Sequence, residues 1–138
     1  MENKKKILLI DDEVDFTFFV KKNLEQTGEF EVIVANDGAN GIDLLKEAKP
    51  DLILLDIVMP NPSGPDVAEF ILHNPQTKQI PLIFLTAVVT KEETGIDLLK
   101  EIGGHNFIAK PVDTQTLISS IKTVLLEGTP EAKSAKPQ

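Results

Sequence analysis

The 138-residue chain has no cysteine, no tryptophan and no tyrosine, and it is short of positive charge. Without cysteine there is no disulfide framework and no thiolate metal site, in keeping with a reducing compartment. Seven Phe stand in for all aromatics, and no basic stripe runs between them, so there is no platform on which bases would stack. The 22 acidic residues against 14 basic ones give a net charge of −8, which repels phosphate backbones and argues against nucleic acid as a direct partner. Long apolar runs are also missing. Lys4, Lys5 and Lys6 precede only four apolar residues, Ile7 to Ile10, too few for a signal peptide or an inserted membrane span. The expected location is cytoplasmic. A chain of this length with 41% hydrophobic residues is enough for one well-packed core.

Short solid apolar runs recur at Ile7 to Ile10, Val32 to Ala35, Leu52 to Leu55, Leu82 to Leu85 and Phe107 to Ala109. Runs of this kind read as strands buried on both faces, and therefore as a parallel sheet. Between them lie helical spacings: Phe16, Val20 and Leu24; Ile42, Leu45 and Ala48; Val67, Phe70 and Ile71; Ile96, Leu99 and Ile102; and Leu117, Ile121, Val124 and Leu125. Each parallel crossover needs a helix, so the alternation predicts an α/β fold with helices on both faces of the sheet. Gly28, Pro50, Pro75 and Gly103-Gly104 fall where the first four helices should stop. The alternating Glu29-Phe30-Glu31-Val32 places the second strand at an edge. Gly95 weakens the start of the fourth helix. Gly-Ile-Asp-Leu-Leu-Lys-Glu occurs at 41–47 and again at 95–101, which reads as two similar amphipathic helices, since a repeat array needs a third copy. Residues 1–127 make the expected domain. Residues 128–138 carry no long apolar side chain and read as a disordered tail, too little to build an output domain.

In a parallel sheet all carboxyl ends point the same way, and these form the ligand crevice. Here they carry Asp11-Asp12-Glu13, Asp56, Thr86-Ala87 and Lys110-Pro111. Each has an ordinary explanation: Asp11 or Asp12 as a helix cap, Asp56 or Thr86 in a turn, Lys110 solvated. Their convergence on one rim is what points to function. Crowded carboxylates repel one another unless a cation sits among them, and oxygen ligands suit Mg2+. Thr86 is placed to donate a hydrogen bond to a phosphoryl oxygen and Lys110 to neutralise another, leaving Asp56 as the nucleophile that would form an aspartyl phosphate.

At these residues the sequence resembles the receiver domain of two-component response regulators. The acidic pair Asp11-Asp12, the acceptor Asp56 in Asp-Ile-Val-Met-Pro-x-x-x-Gly, Thr86-Ala87 and Lys110-Pro111 match in order and spacing over about residues 5 to 127. The resemblance implies a flavodoxin-like (βα)5 doubly wound sandwich with strand order 2-1-3-4-5. It implies Mg2+ held by Asp12, Asp56 and the backbone carbonyl of Val58, with Asp11 acting largely through water, and a cis Lys110–Pro111 bond. It also implies a sensor histidine kinase or a histidine phosphotransfer protein as donor, and a phosphoacceptor signalling role rather than that of a conventional enzyme. Thr86 and the strand-five aromatic, Phe107, would be the switch residues. Phe107 lacks the hydroxyl of Tyr, so ordinary packing competes with switching as its role. The output face, made of helix four, strand five and helix five, would meet a downstream protein partner.

Val58 and Val88, two residues after Asp56 and Thr86, are apolar where many relatives carry groups that orient a water, which implies a long-lived phosphoryl group. A phosphatase with an aspartyl intermediate would want an acid where Val58 stands. A flavin module would want a phosphate loop free of Asp11-Asp12-Glu13. The nearest alternatives are a degenerate receiver used as a docking module and a receiver excised from a larger regulator. His73 and His105 read as surface residues.

Overall fold

The apolar runs do become the strands of one parallel sheet. A computed structural model describes residues 3–87, 106–110 and 112–127. Its elements are β1 (Lys5–Ile10), α1 (Val14–Glu25), β2 (Phe30–Ala35), α2 (Gly38–Ala48), β3 (Leu52–Asp56), α3 (Gly64–His73), β4 (Leu82–Thr86), β5 (Asn106–Ala109) and a final helix, numbered α4 here, at Thr114–Glu127. The strands are ordered β2-β1-β3-β4-β5, all parallel. This is the flavodoxin-like order, with β2 at an edge as its alternation requires. The predicted fourth helix (96–102), Gly95, Gly103-Gly104, Val88, His105, Pro111 and the 128–138 tail lie outside the described residues.

Because successive side chains on a strand point to opposite faces, the solid runs feed two separate cores. Ile7, Leu9, Leu54 and Leu85 pack with Val20 and Leu24 of α1 and Leu117, Ile121 and Val124 of α4. Leu8, Ile10, Leu55 and Phe84 pack on the other face with Leu45 of α2 and Val67 and Ile71 of α3. Among the described residues the helical spacings therefore held, with one shift: on α3 it is Ala68 that is fully buried, while Phe70 only borders the core.

Local chemistry sets the element boundaries. Asp37 caps α2 by accepting the Asn40 amide, and Ser63 and Asp66 form a reciprocal capping box at α3. Gly64 and Pro65 open α3, a position where proline's missing N–H costs nothing. The cis X-Pro bond among the described residues is Asn61–Pro62. At the sheet edge, Lys5 and Asp11 donate to the carbonyls of Glu29 and Ala35, so the odd-numbered residues of β2 face β1. Val32 turns its N–H and C=O outward, and α1 satisfies both. Glu25 accepts the amide at 2.9 Å and Lys21 donates to the carbonyl at 2.6 Å. An edge that would otherwise invite strand pairing is thereby covered.

Candidate phosphoacceptor site

The register fixes what meets at the rim. Asp56 is the last residue of β3 and pairs with Leu85, while Thr86, the last of β4, pairs with Ala109. The amide of Lys110 donates to the Thr86 carbonyl at 2.7 Å, which ties the end of β5 to that of β4. Leu52 to Leu55 are wholly buried, and this run carries the Asp56 carboxylate into a position only 3% exposed. Thr86 is 5% exposed and Asp11 fully buried. Asp12 is exposed. Carboxylate oxygens of Asp11, Asp12 and Asp56 all lie within 4.8 Å of one another.

Lys110 reaches into this group with a side chain only 9% exposed. Its Nζ lies 2.8 Å from Asp11 Oδ2, 2.6 Å from Glu13 Oε1 and 3.7 Å from Asp56 Oδ1. The ammonium also stands 4.5 Å from the centre of the Phe16 ring, a cation–π contact. Oδ2 of Asp11 has the lysine's charge beside it but, among the described residues, no well-directed hydrogen bond, so it keeps acceptor capacity. The other oxygen, Oδ1, accepts the Glu13 amide at 2.9 Å. Asn36, at the end of β2, donates to the Asp11 carbonyl at 2.8 Å and to Thr17 Oγ1 at 3.1 Å, fastening the loop after β1 to α1.

The electrostatics follow from this crowding. Burial, and then the charge of Asp11, push the Asp56 carboxyl up to about 6; Lys110 and the Val58 N–H, 3.4 Å from Oδ1, oppose the rise without cancelling it. Burial likewise raises Asp11 against the pull of Lys110. For Lys110 burial works against the charge, but Asp11 and Glu13 outweigh it and hold its pKa above the ordinary range. The rim thus carries more negative charge than one ammonium offsets. Such a donor set, hard oxygens with one of them lacking a hydrogen bond, fits a small divalent cation.

Asp11, Asp12, Asp56, Thr86 and Lys110 all stand at this rim, as the sequence reading expects. Neither Asp11 nor Asp12 caps α1: the cap position is Glu13, whose side chain makes no capping bond. Phe107 is half-buried one strand away and stacks on Phe84 with ring centres 5.3 Å apart. His73 is exposed and far from this chemistry, its Nδ1 2.9 Å from the Glu69 carbonyl. A cleft of about 580 Å³ opens at the opposite end of the sheet, lined by Lys5, Phe30, Pro81 and Leu125, and holds none of these groups. From the sequence, Glu13 stands at the rim without a partner, Phe16 reads as core, and Asn36 has no role. Glu13 left a signal, since Glu is a poor N-cap and its presence there asks for another partner. Phe16 and Asn36 left none, because only the fold brings them to Lys110 and Asp11.

A model of the response regulator receiver domain matches residues 7–122. The chain is 38% identical over 120 residues to the transcriptional regulatory protein CpxR of Escherichia coli (strain K12), covering 87% of this chain and 49% of CpxR. It therefore spans about half the length of that relative. It is 33% identical over 120 residues to protein PilH of Pseudomonas aeruginosa, covering 87% of this chain and 97% of PilH. The structure of the Vibrio cholerae chemotaxis protein CheY4 superposes with a TM-score of 0.79 at 26% identity, over 88% of this chain and 99% of that one. Strand order, rim and sequence match agree, and the chain belongs to the family of response regulator receiver domains.

Proposed function

We propose that Asp56 is a phosphoacceptor, taking a phosphoryl group from a phosphohistidine on a sensor histidine kinase or a phosphotransfer protein. The observation that carries this reading is a buried carboxylate at a strand end, with two further acids and an ammonium converging on it. An oxygen of Asp56 attacks phosphorus, the P–N bond breaks, and its electron pair stays on the imidazole nitrogen, which takes up a proton. Asp11, Asp12, Asp56 and the Val58 carbonyl would hold Mg2+, which supplies positive charge for the crowded carboxylates and the arriving phosphoryl oxygens. Thr86 donates its hydroxyl to one of those oxygens and Lys110 pairs with another.

The added charge of about −1.5 to −2 then draws Thr86 inward, and Phe107 follows into the space it leaves. This alters the face made by β5, α4 and the fourth predicted helix, which a downstream protein reads. Large apolar side chains stand exposed beside the rim, Val14 and Phe18 on α1 and Val58 after β3, and suit a protein donor better than a small one. Val58 presents no group that would orient a water. Val58→Asn is expected to shorten the lifetime of the phosphoryl group about two- to tenfold, the worth of one hydrogen bond. Decay of the phosphorylated protein in Mg2+ measures it, and an unchanged rate would remove Val58 from the account.

The deciding experiment is intact-mass measurement after incubation with a small phosphodonor, with and without Mg2+, on wild type and Asp56→Asn. A Mg2+-dependent adduct on wild type alone supports the reading. No adduct on wild type would reduce the chain to a docking module.

A further inference from the structure

Lys110 is already engaged before any phosphoryl group arrives. Its nitrogen is 2.6 Å from Glu13 and 2.8 Å from Asp11, but 3.7 Å from Asp56. Of its carboxylate partners, Glu13 is the one that local structure does not explain. Asp11 and Asp56 are delivered by strands, whereas Glu13 heads α1, makes no capping bond, and reaches a residue 97 positions away. Holding so long a side chain in one arrangement costs rotamer freedom, so the contact with Lys110 must repay it. Phe16, three residues on, supports the same ammonium from its ring face.

We propose that Glu13 is a positioning residue that holds Lys110 in reserve: its carboxylate competes with the phosphoryl oxygens on Asp56 for the ammonium, and phosphorylation releases the Glu13–Lys110 pair. This rests on the reading of Asp56 as phosphoacceptor. Asp11 is not the partner to be released, because it is fully buried and its other oxygen is held by the Glu13 amide. The Glu13 side chain is 61% exposed, so water can take over its charge when the lysine leaves. Competition acts on how tightly the phosphoryl group is held. By reciprocity, a phosphoryl group on Asp56 loosens the hold of Lys110 on the first turn of α1.

Two measurements test this. Wild type, Glu13→Gln and Asp15→Asn are titrated with beryllofluoride, a tetrahedral mimic of a phosphoryl group on a carboxylate, in saturating Mg2+ and followed by amide NMR shifts. Asp15 lies in the same first turn but is not among the partners of Lys110, so it reports the effect of charge alone. Glu13→Gln is expected to tighten binding about two- to fivefold, the worth of an ion pair whose carboxylate is mostly exposed, with a clearly smaller change for Asp15→Asn. In the ligand-free proteins, acylation of Lys110 by a water-soluble active ester, read by peptide mass, should be several-fold faster in Glu13→Gln. Equal tightening by both variants, no tightening in Glu13→Gln, or unchanged Lys110 acylation would each overturn the proposal. If wild type fails to bind beryllofluoride, the reading of Asp56 falls and the competition with it. In that case the acylation rates still report whether Glu13 grips Lys110.

Discussion

Asp56→Asn is expected to abolish the phosphoryl adduct and, in the absence of divalent cations at neutral pH, to make the protein more stable. Asn keeps the shape and removes a charge that burial and Asp11 make unfavourable. The sign follows from proton binding. The Asp56 carboxyl has a pKa of about 6 in the fold against an ordinary 3.8, so between those values the folded chain binds more protons than the unfolded one. Wild type therefore gains stability from this group as pH falls from about 6 to about 4. Above pH 6 the full cost of the charge is present, about 1–3 kcal/mol from that difference. Thermal melts of wild type and Asp56→Asn should thus differ most near pH 7 and converge near pH 4. Mg2+ should narrow the gap at pH 7, because a cation that binds only the folded wild type stabilises it by mass action. A variant less stable than wild type at pH 7 without Mg2+ would show that Asp56 is compensated by groups other than Lys110.

Gly64→Ala should be the most damaging single methyl at this site. A Cβ at Gly64 would come within 2.3 Å of the Asp56 carbonyl and 2.6 Å of Ile57 Cα, both rigid backbone. The loop after β3 has to move for the methyl to fit, and it carries Asp56 with it. The expected cost is about 3 kcal/mol, the upper end for overpacking, and a loss of roughly 10 °C in Tm. Phosphorylation should fall further than stability explains, because a displacement of about 1 Å at the nucleophile can cost on the order of a hundredfold in rate. Gly28→Ala provides the contrast. Gly28 has φ +80° with nothing within 4 Å of a Cβ, so only the left-handed backbone is penalised, at about 1–2 kcal/mol. Its phosphorylation rate should match wild type. Equal rates for Gly64→Ala and wild type would mean the loop absorbs the methyl without shifting Asp56.

The sheet was legible because buried parallel strands leave an unbroken apolar run, and the five runs are separated by helical spacings and breakers. The rim was legible for a related reason. Each strand ends where its apolar run ends, so Asp11, Asp56, Thr86 and Lys110 could be placed at one end without coordinates. Sequence does not give distance, and that is where the reading stopped. Nothing in the spacing of Glu13 and Lys110 distinguishes 2.6 Å from 10 Å, and Phe16 was read as core when its ring also faces an ammonium. The start of α3 was not legible from the spacing of Val67, Phe70 and Ile71, because Gly and Pro serve as breakers within an element but as openers at its first turn. The order at the edge was recoverable from Glu29-Phe30-Glu31-Val32, whereas the cover over Val32 was not, since it depends on how α1 lies against β2.

α1 is pinned at both ends to parts of the molecule that do different work. Glu13, the residue at the cap position of its start, engages the ammonium at the rim, and its final residue, Glu25, is bonded to the outward amide of Val32. A helix of 12 residues is a strut about 18 Å long. Fixed at two such points, it cannot slide along its own axis without breaking one set of contacts. A change in the hold on Lys110 is therefore borne by the whole strut, and the outermost strand stands at its other footing.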